Sequence, residues 1–164
     1  MDKKKLFSIY EKLFQRKTIR YWKLHRKSCE SKGFMSTVYL LRAKHIQQKL
    51  GGSFPVKPAI PYFHTPHSFS GIFISADAKM GENCTVNQQV VIGSNKIKES
   101  KGYGAPVIGN NVLIGAGAKI IGNVKIGDNV RIDANCCVTV DIPDNATVVM
   151  EKPRIIVKEK VNKD

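Results

Sequence analysis

Long apolar runs are missing from this chain of 164 residues: none approaches the roughly 18 residues that cross a bilayer. No hydrophobic block of the signal type stands near its start either, and a cytoplasmic protein is the expectation. Cysteine is sparse, with four residues and no C-x-x-C pair. Cys136 and Cys137 are adjacent, Cys84 falls inside a repeated apolar pattern and Cys29 in a basic stretch. Buried or inert thiols are therefore expected, with no metal site. Histidine is absent from residues 72–149, which removes any zinc site of three imidazoles from that stretch. Asp and Glu are absent from residues 31–76, so a histidine there has no carboxylate beside it in the chain.

What is present in excess is positive charge, and it is unevenly placed. The chain carries a net +14. Residues 1–52 hold 14 Lys and Arg against Asp2, Glu11 and Glu30, whereas residues 53–164 hold 13 against 10 acids. The basic character belongs to the N-terminal third.

That third reads as helical. In residues 5–27 the apolar Leu6, Ile9, Tyr10, Leu13, Phe14, Tyr21 and Leu24 follow helical spacing, with Lys and Arg on the other face. Residues 36–50 form a second helical segment, for which Ser36 or Thr37 is the expected cap and Gly51-Gly52 the stop. Pro55, Pro58, Pro61 and Pro66 then predict an extended, turn-rich connector. The chain divides into a basic helical region (1–52), the connector (53–71), a repeat region (72–149) and a C-terminal strand with a basic tail (150–164).

The repeat region has a period of six. Ile74, Met80, Val86 and Ile92 are followed, after an interruption, by Ile108, Ile114, Ile120, Ile126, Ile132 and Val138. The next residue is small or polar throughout, Ile121 excepted. Four places on stand Ala78, Cys84, Val90, Val112, Ala118, Val124, Val130, Cys136 and Ile142, all small or apolar. An antiparallel sandwich would alternate with period two. A six-residue lock predicts a triangular coil in which each hexad supplies one short strand and one corner. The corners call for positive φ, which Gly and Asn tolerate.

Ile-Gly-Ala-Gly-Ala-Lys-Ile-Ile-Gly-Asn (114–123) and Ile-Gly-Asp-Asn-Val-Arg-Ile (126–132) resemble the hexapeptide-repeat acyltransferases. Asn-Cys-Thr-Val-Asn-Gln-Gln-Val-Val-Ile-Gly (83–93) narrows the resemblance to serine acetyltransferase-like enzymes, many of which are similar to cell-surface polysaccharide O-acetyltransferases. The resemblance implies a left-handed parallel β-helix, acetyl-CoA as co-substrate, and a homotrimer with active sites in the clefts between subunits.

Acyl transfer to a hydroxyl needs a base, oxyanion donors and a groove for the CoA arm, and histidine titrates near neutrality unaided. His25 and His45 lie in the helical segments, where a solvated or packing role is expected. His67 precedes Ser-Phe-Ser-Gly-Ile-Phe-Ile (68–74), and the resemblance makes it the catalytic base, with His64 as the alternative. The same resemblance places CoA against Ser94, Ala116 and Ala134, and the nucleotide phosphates near Lys152 and Arg154. The hydrophilic interruption 94–106 is expected to leave the coil as an external loop, a flap whose apolar contact is Tyr103.

Three departures separate the chain from serine acetyltransferases in the strict sense. Pro66 stands where Asp is usual before the catalytic His, Ala105 stands where a second His is usual, and no upstream carboxylate is available. They favour a sugar or glycan hydroxyl as acceptor over free serine, the acceptor in cysteine biosynthesis. The missing histidines exclude a γ-type carbonic anhydrase on this scaffold. A third reading is a non-catalytic trimer that displays its basic arm. Residues 1–27, with Phe7, Phe14, Tyr21 and Trp22 beside ten cations, have the composition of an interfacial helix on an anionic membrane. Such a helix would place the protein peripherally on the inner face of the cell membrane; the competing role for the same stripe is to cap the solenoid. No reader motif for nucleic acid is present.

Overall fold

The computed structural model describes residues 3–151 and Ile155, with side chains from Gln15 onward. Two helices, α1 (Lys3–Glu30) and α2 (Gly33–Lys49), form a hairpin at the N-terminal end. The predicted cap at Ser36 or Thr37 is not used. α2 starts earlier, behind Lys32, whose backbone is extended and whose side chain makes no capping bond. Ser36 Oγ instead donates to the Ser28 carbonyl at 2.8 Å, and Ser28 Oγ to the Ser36 carbonyl at 3.2 Å. These bonds across the hairpin satisfy both hydroxyls, so a tertiary contact displaces the local cap. The stop lies where it was expected, with Gly51 at φ +77° leaving the helix.

Residues Phe73 to Val148 wind as a parallel β-helix. The strands are β1 (Phe73–Ile74), β2 (Lys79–Met80), β3 (Thr85–Val86), β4 (Val91–Gly93), β5 (Val107–Ile108), β6 (Leu113–Ile114), β7 (Lys119–Ile121), β8 (Lys125–Ile126), β9 (Arg131–Ile132), β10 (Cys137–Val138) and β11 (Thr147–Val148). They form three sheets, ordered β1-β4-β7-β10, β3-β6-β9-β11 and β2-β5-β8. Val107 pairs with Lys125 and Leu113 with Arg131, a step of 18 residues. Val91 pairs with Lys119, a step of 28, so the interruption lifts ten residues out of one coil without disturbing the stack.

All ten predicted inward aliphatics are buried, and so are eight of the nine in the second row; Ile142 is half-buried near the open end. Burying each such side chain is worth about 1.5–3 kcal/mol. The corners follow from residue type. Asn83, Gln89, Asn111, Asn129 and Asn135 have φ of +57° to +61°, each three places after an inward aliphatic. Asn111 Nδ2 donates to Asn129 Oδ1, and Asn129 Nδ2 to Asn145 Oδ1, both at 3.0 Å. One corner is thus tied coil to coil by side-chain amides.

The connector differs from its expected role as a link. It is an opening coil of the solenoid. Ser53 pairs with Phe73 and His64 with Thr85, both parallel, and the Ala59 carbonyl accepts from Met80 N–H at 3.0 Å. Each sheet thereby gains a rung, with Phe54 and Ile60 buried behind it. The prolines are tolerated because this coil is the outermost one, where an amide facing away from the stack needs no strand partner.

The hairpin closes that end. Tyr21 and Leu24 are buried, and the Tyr21 ring meets Phe69 and Phe54 edge-on at 4.9 and 5.5 Å. Trp22 packs on Phe63 at 5.0 Å. Buried Gln47 donates to the Phe54 carbonyl at 2.9 Å and to Tyr21 Oη at 3.3 Å, joining both helices to the opening coil. Tyr21 and Trp22 are therefore part of a cap and are not displayed towards a membrane. Phe7 and Phe14 have side chains outside the described residues, as do Lys152, Arg154 and the expected C-terminal strand beyond Glu151.

Candidate active site

A regular coil passes from the β3 sheet to the β1 sheet through a tight corner such as Gln88-Gln89. In the opening coil this corner is widened to residues 65–71, between the His64 rung and Ile72. Phe69 is buried in the aromatic cap and pins the excursion from within. Gly71 N–H donates to the Gly51 carbonyl at 2.9 Å, and Thr65 Oγ1 donates to the Ser68 carbonyl. Ser68 is held at φ +63°, a conformation costly for a residue with a Cβ.

Together with Gln15, Thr18 and Ile19 of α1, this excursion walls a groove of about 500 Å3. His64 and His67 both line it and both are exposed. Ser68 lines it too; its Oγ is shielded from water and has no hydrogen-bond partner. No carboxylate is among the lining residues. The groove therefore brings the two candidate bases together and offers them hydroxyls, but no acid to orient an imidazole.

The same corner continues down the solenoid. Gln89 N–H donates to the Ser70 carbonyl at 2.8 Å, Gly117 N–H to the Gln88 carbonyl at 3.0 Å and Asn135 N–H to the Ala116 carbonyl at 2.8 Å. Ser70, Gln88, Ala116 and Ala134 are thus successive steps of one edge, spanning roughly 14 Å at the usual strand spacing. Only methyl groups stand out at Ala116 and Ala134, so an extended amide chain can approach the backbone there.

Ser94 and Tyr103 lie elsewhere. Ser94 follows β4, at the opposite edge of the β1 sheet, where its Oγ is 2.6 Å from Ser75 Oγ. The interruption leaves the coil at that edge as the expected external loop. Its base is closed by antiparallel bonds between Asn95 and Gly104, and exposed Lys96 pairs with Asp77. Tyr103, half exposed, is not among the residues of the His67 groove. Within this chain the external loop does not cover the candidate base.

His25 takes the packing role expected of it. It is buried beside Tyr21 and Trp22, and burial, with a smaller contribution from Lys44, pulls its pKa down to about 4. Ser68, Ser70 and Gln88 were not singled out from sequence. Stepping back by 18 from Gln88 reaches Ser70, which was a readable signal; the left-handed turn at Ser68 was not.

Residues 105–139 match the family model described as bacterial transferase hexapeptide (six repeats). The chain carries hexapeptide repeats and is similar to serine acetyltransferases. It is 39% identical over 94 residues to the serine acetyltransferase of Synechococcus elongatus, covering 57% of this chain and 38% of that one. With a serine acetyltransferase of Staphylococcus aureus it shares 43% over 79 residues, 48% of this chain and 36% of the relative. The crystal structure of serine acetyltransferase isoform 3 of Entamoeba histolytica in complex with cysteine superposes at a TM-score of 0.59 with 25% identity, over 90% of this chain and 62% of that one. The native serine acetyltransferase 1 of the same organism gives 0.60 with 27% identity, over 82% and 50%. The matches thus span between about a third and three fifths of the relatives' length. The fold shared with these structures is the left-handed parallel β-helix.

Proposed function

We propose that this protein transfers an acetyl group from acetyl-CoA to a hydroxyl, with His67 as general base. The observation that supports this most is the shared corner: His67 stands at the head of the edge that carries Ala116 and Ala134. A thioester seated along that edge supplies the acetyl group. His67 takes the proton as the acceptor oxygen attacks the thioester carbonyl. A C–O bond forms, the C–S bond breaks, and the proton passes to the departing thiolate. No acyl-enzyme is needed, so Cys84, Cys136 and Cys137 have no part in the chemistry.

The relatives favour serine as the acceptor, and the sugar preference expected from sequence finds no support among them. One observation keeps a sugar or glycan hydroxyl as a second reading. No carboxylate lines the groove to meet the ammonium of an amino acid, and Pro66 precedes His67. Because the flap lies at the far edge of the β1 sheet, we further propose a homotrimer in which a neighbour's loop, with Tyr103 and Ser94, completes the cleft.

The test is acetyl-CoA consumption measured in parallel with serine, free sugars and lipid-linked glycans. Turnover of serine that is lost in His67→Ala supports the main reading, and turnover of glycans alone supports the second. An assembled protein inactive with every acceptor would favour the non-catalytic scaffold.

A further inference from the structure

A second concavity, of about 530 Å3, lies between the two helices. Lys17 and Arg20 of α1 and Arg42 and Lys49 of α2 border it, with buried Leu24 and half-buried Ile46 beneath and exposed Leu41 at its rim. No acidic residue lines it, and residues 31–76 of the chain contain none. Arg20, Arg42 and Lys49 make no ion pair among the described residues, where the one salt bridge joins Lys96 to Asp77.

The outer face of α2 carries a second, independent feature. At 100° per residue, Phe34, Leu41, Arg42, His45 and Lys49 fall within an arc of about 100°. Phe34 is 81% exposed, Leu41 63% and Met35, beside Phe34 at the hairpin turn, 47%. An unpartnered apolar tip that runs into a cationic cleft is the pattern of an element lying at a lipid–water interface. Nucleic acid would match the cations and leave the apolar tip unused; a bilayer matches both. The aromatic residues Tyr21 and Trp22 are already engaged in the cap, so this face is distinct from the stripe read in α1.

We propose that this face of the hairpin docks on an anionic lipid bilayer, with Phe34, Met35 and Leu41 entering the interface and the cleft between Arg20, Arg42 and Lys49 receiving a lipid phosphate. The surface is separate from the His67 groove, so the proposal stands or falls apart from the catalytic one.

The experiment is sedimentation of the full-length protein with phosphatidylcholine vesicles, and with vesicles also containing phosphatidylglycerol, at low and high salt. Binding is expected only to the anionic vesicles and is weakened by salt. The triple variant Arg20→Ala, Arg42→Ala, Lys49→Ala should lower the partition coefficient on the order of 10–100-fold. Phe34→Ser should weaken it roughly tenfold while preserving the salt dependence. Both variants change exposed side chains, so unaltered thermal unfolding checks that each is folded. Equal binding to neutral vesicles, or binding indifferent to both variants, would overturn the proposal. So would absent vesicle binding together with variant-sensitive binding of duplex DNA.

Discussion

His67 and Ser68 adjoin on the widened corner, one exposed in the groove and the other held in the left-handed region with a shielded, unpartnered hydroxyl. A polar atom kept from water without a partner costs about 1–3 kcal/mol, and this one lies beside the candidate base in the groove. His67→Ala should lower kcat by roughly 10²–10⁴-fold with CoA affinity little changed, measurable by steady-state kinetics beside a direct binding titration. Equal activity in that variant would transfer the role to His64. His25 makes a different prediction. Its pKa is about 6.5 unfolded and about 4 folded, so its neutral form is favoured by the fold. The associated stability is complete above pH 6.5 and is lost as the pH falls towards 4. Between pH 7.5 and 5 the loss should be about 2 kcal/mol, read from denaturant unfolding at each pH. His25→Phe should flatten that dependence.

At the scale of the element, the corners set what a coil tolerates. A Cβ on Gly115 would stand 2.5 Å from Ala134 N, 2.6 Å from Asp133 C and 2.8 Å from Ile132 O, all backbone atoms of the next coil. Gly115→Ala should therefore lower stability by about 1–3 kcal/mol and disturb the edge proposed for CoA. Gly102, whose Cβ would meet only side-chain atoms at 3.6 Å or more, lies in the external loop and should accept Ala with little change in Tm. Equal melting temperatures for the two variants would contradict this account of the corner. The hexads themselves were legible because six-residue periodicity leaves a row of aliphatics that no other architecture demands. The opening coil was hidden. Its prolines read as breaks, and the pairing of Ser53 with Phe73 steps by 20 residues where the regular coils step by 18.

For the whole molecule, the distance between the flap and the candidate base is a prediction about assembly. Light scattering should find trimers at micromolar concentration, and a fully active monomer would remove the shared-cleft model. A trimer would also present three hairpins to one membrane, and their avidity would exceed the affinity of a single face. Sequence by itself determined the parallel coil, its inward rows, its Asn corners, the external loop and the residues worth testing, because each depends on spacing along the chain. Tertiary structure alone decided that Tyr21 and Trp22 serve as a cap, since an apolar helical stripe suits a solenoid end and a bilayer equally until packing shows which surface it covers. It also decided that Ala116 and Ala134 share His67's corner while Ser94 and Tyr103 do not. Which corner a residue occupies depends on how many residues each turn contains, and both the ten-residue excursion and the irregular opening coil change that number.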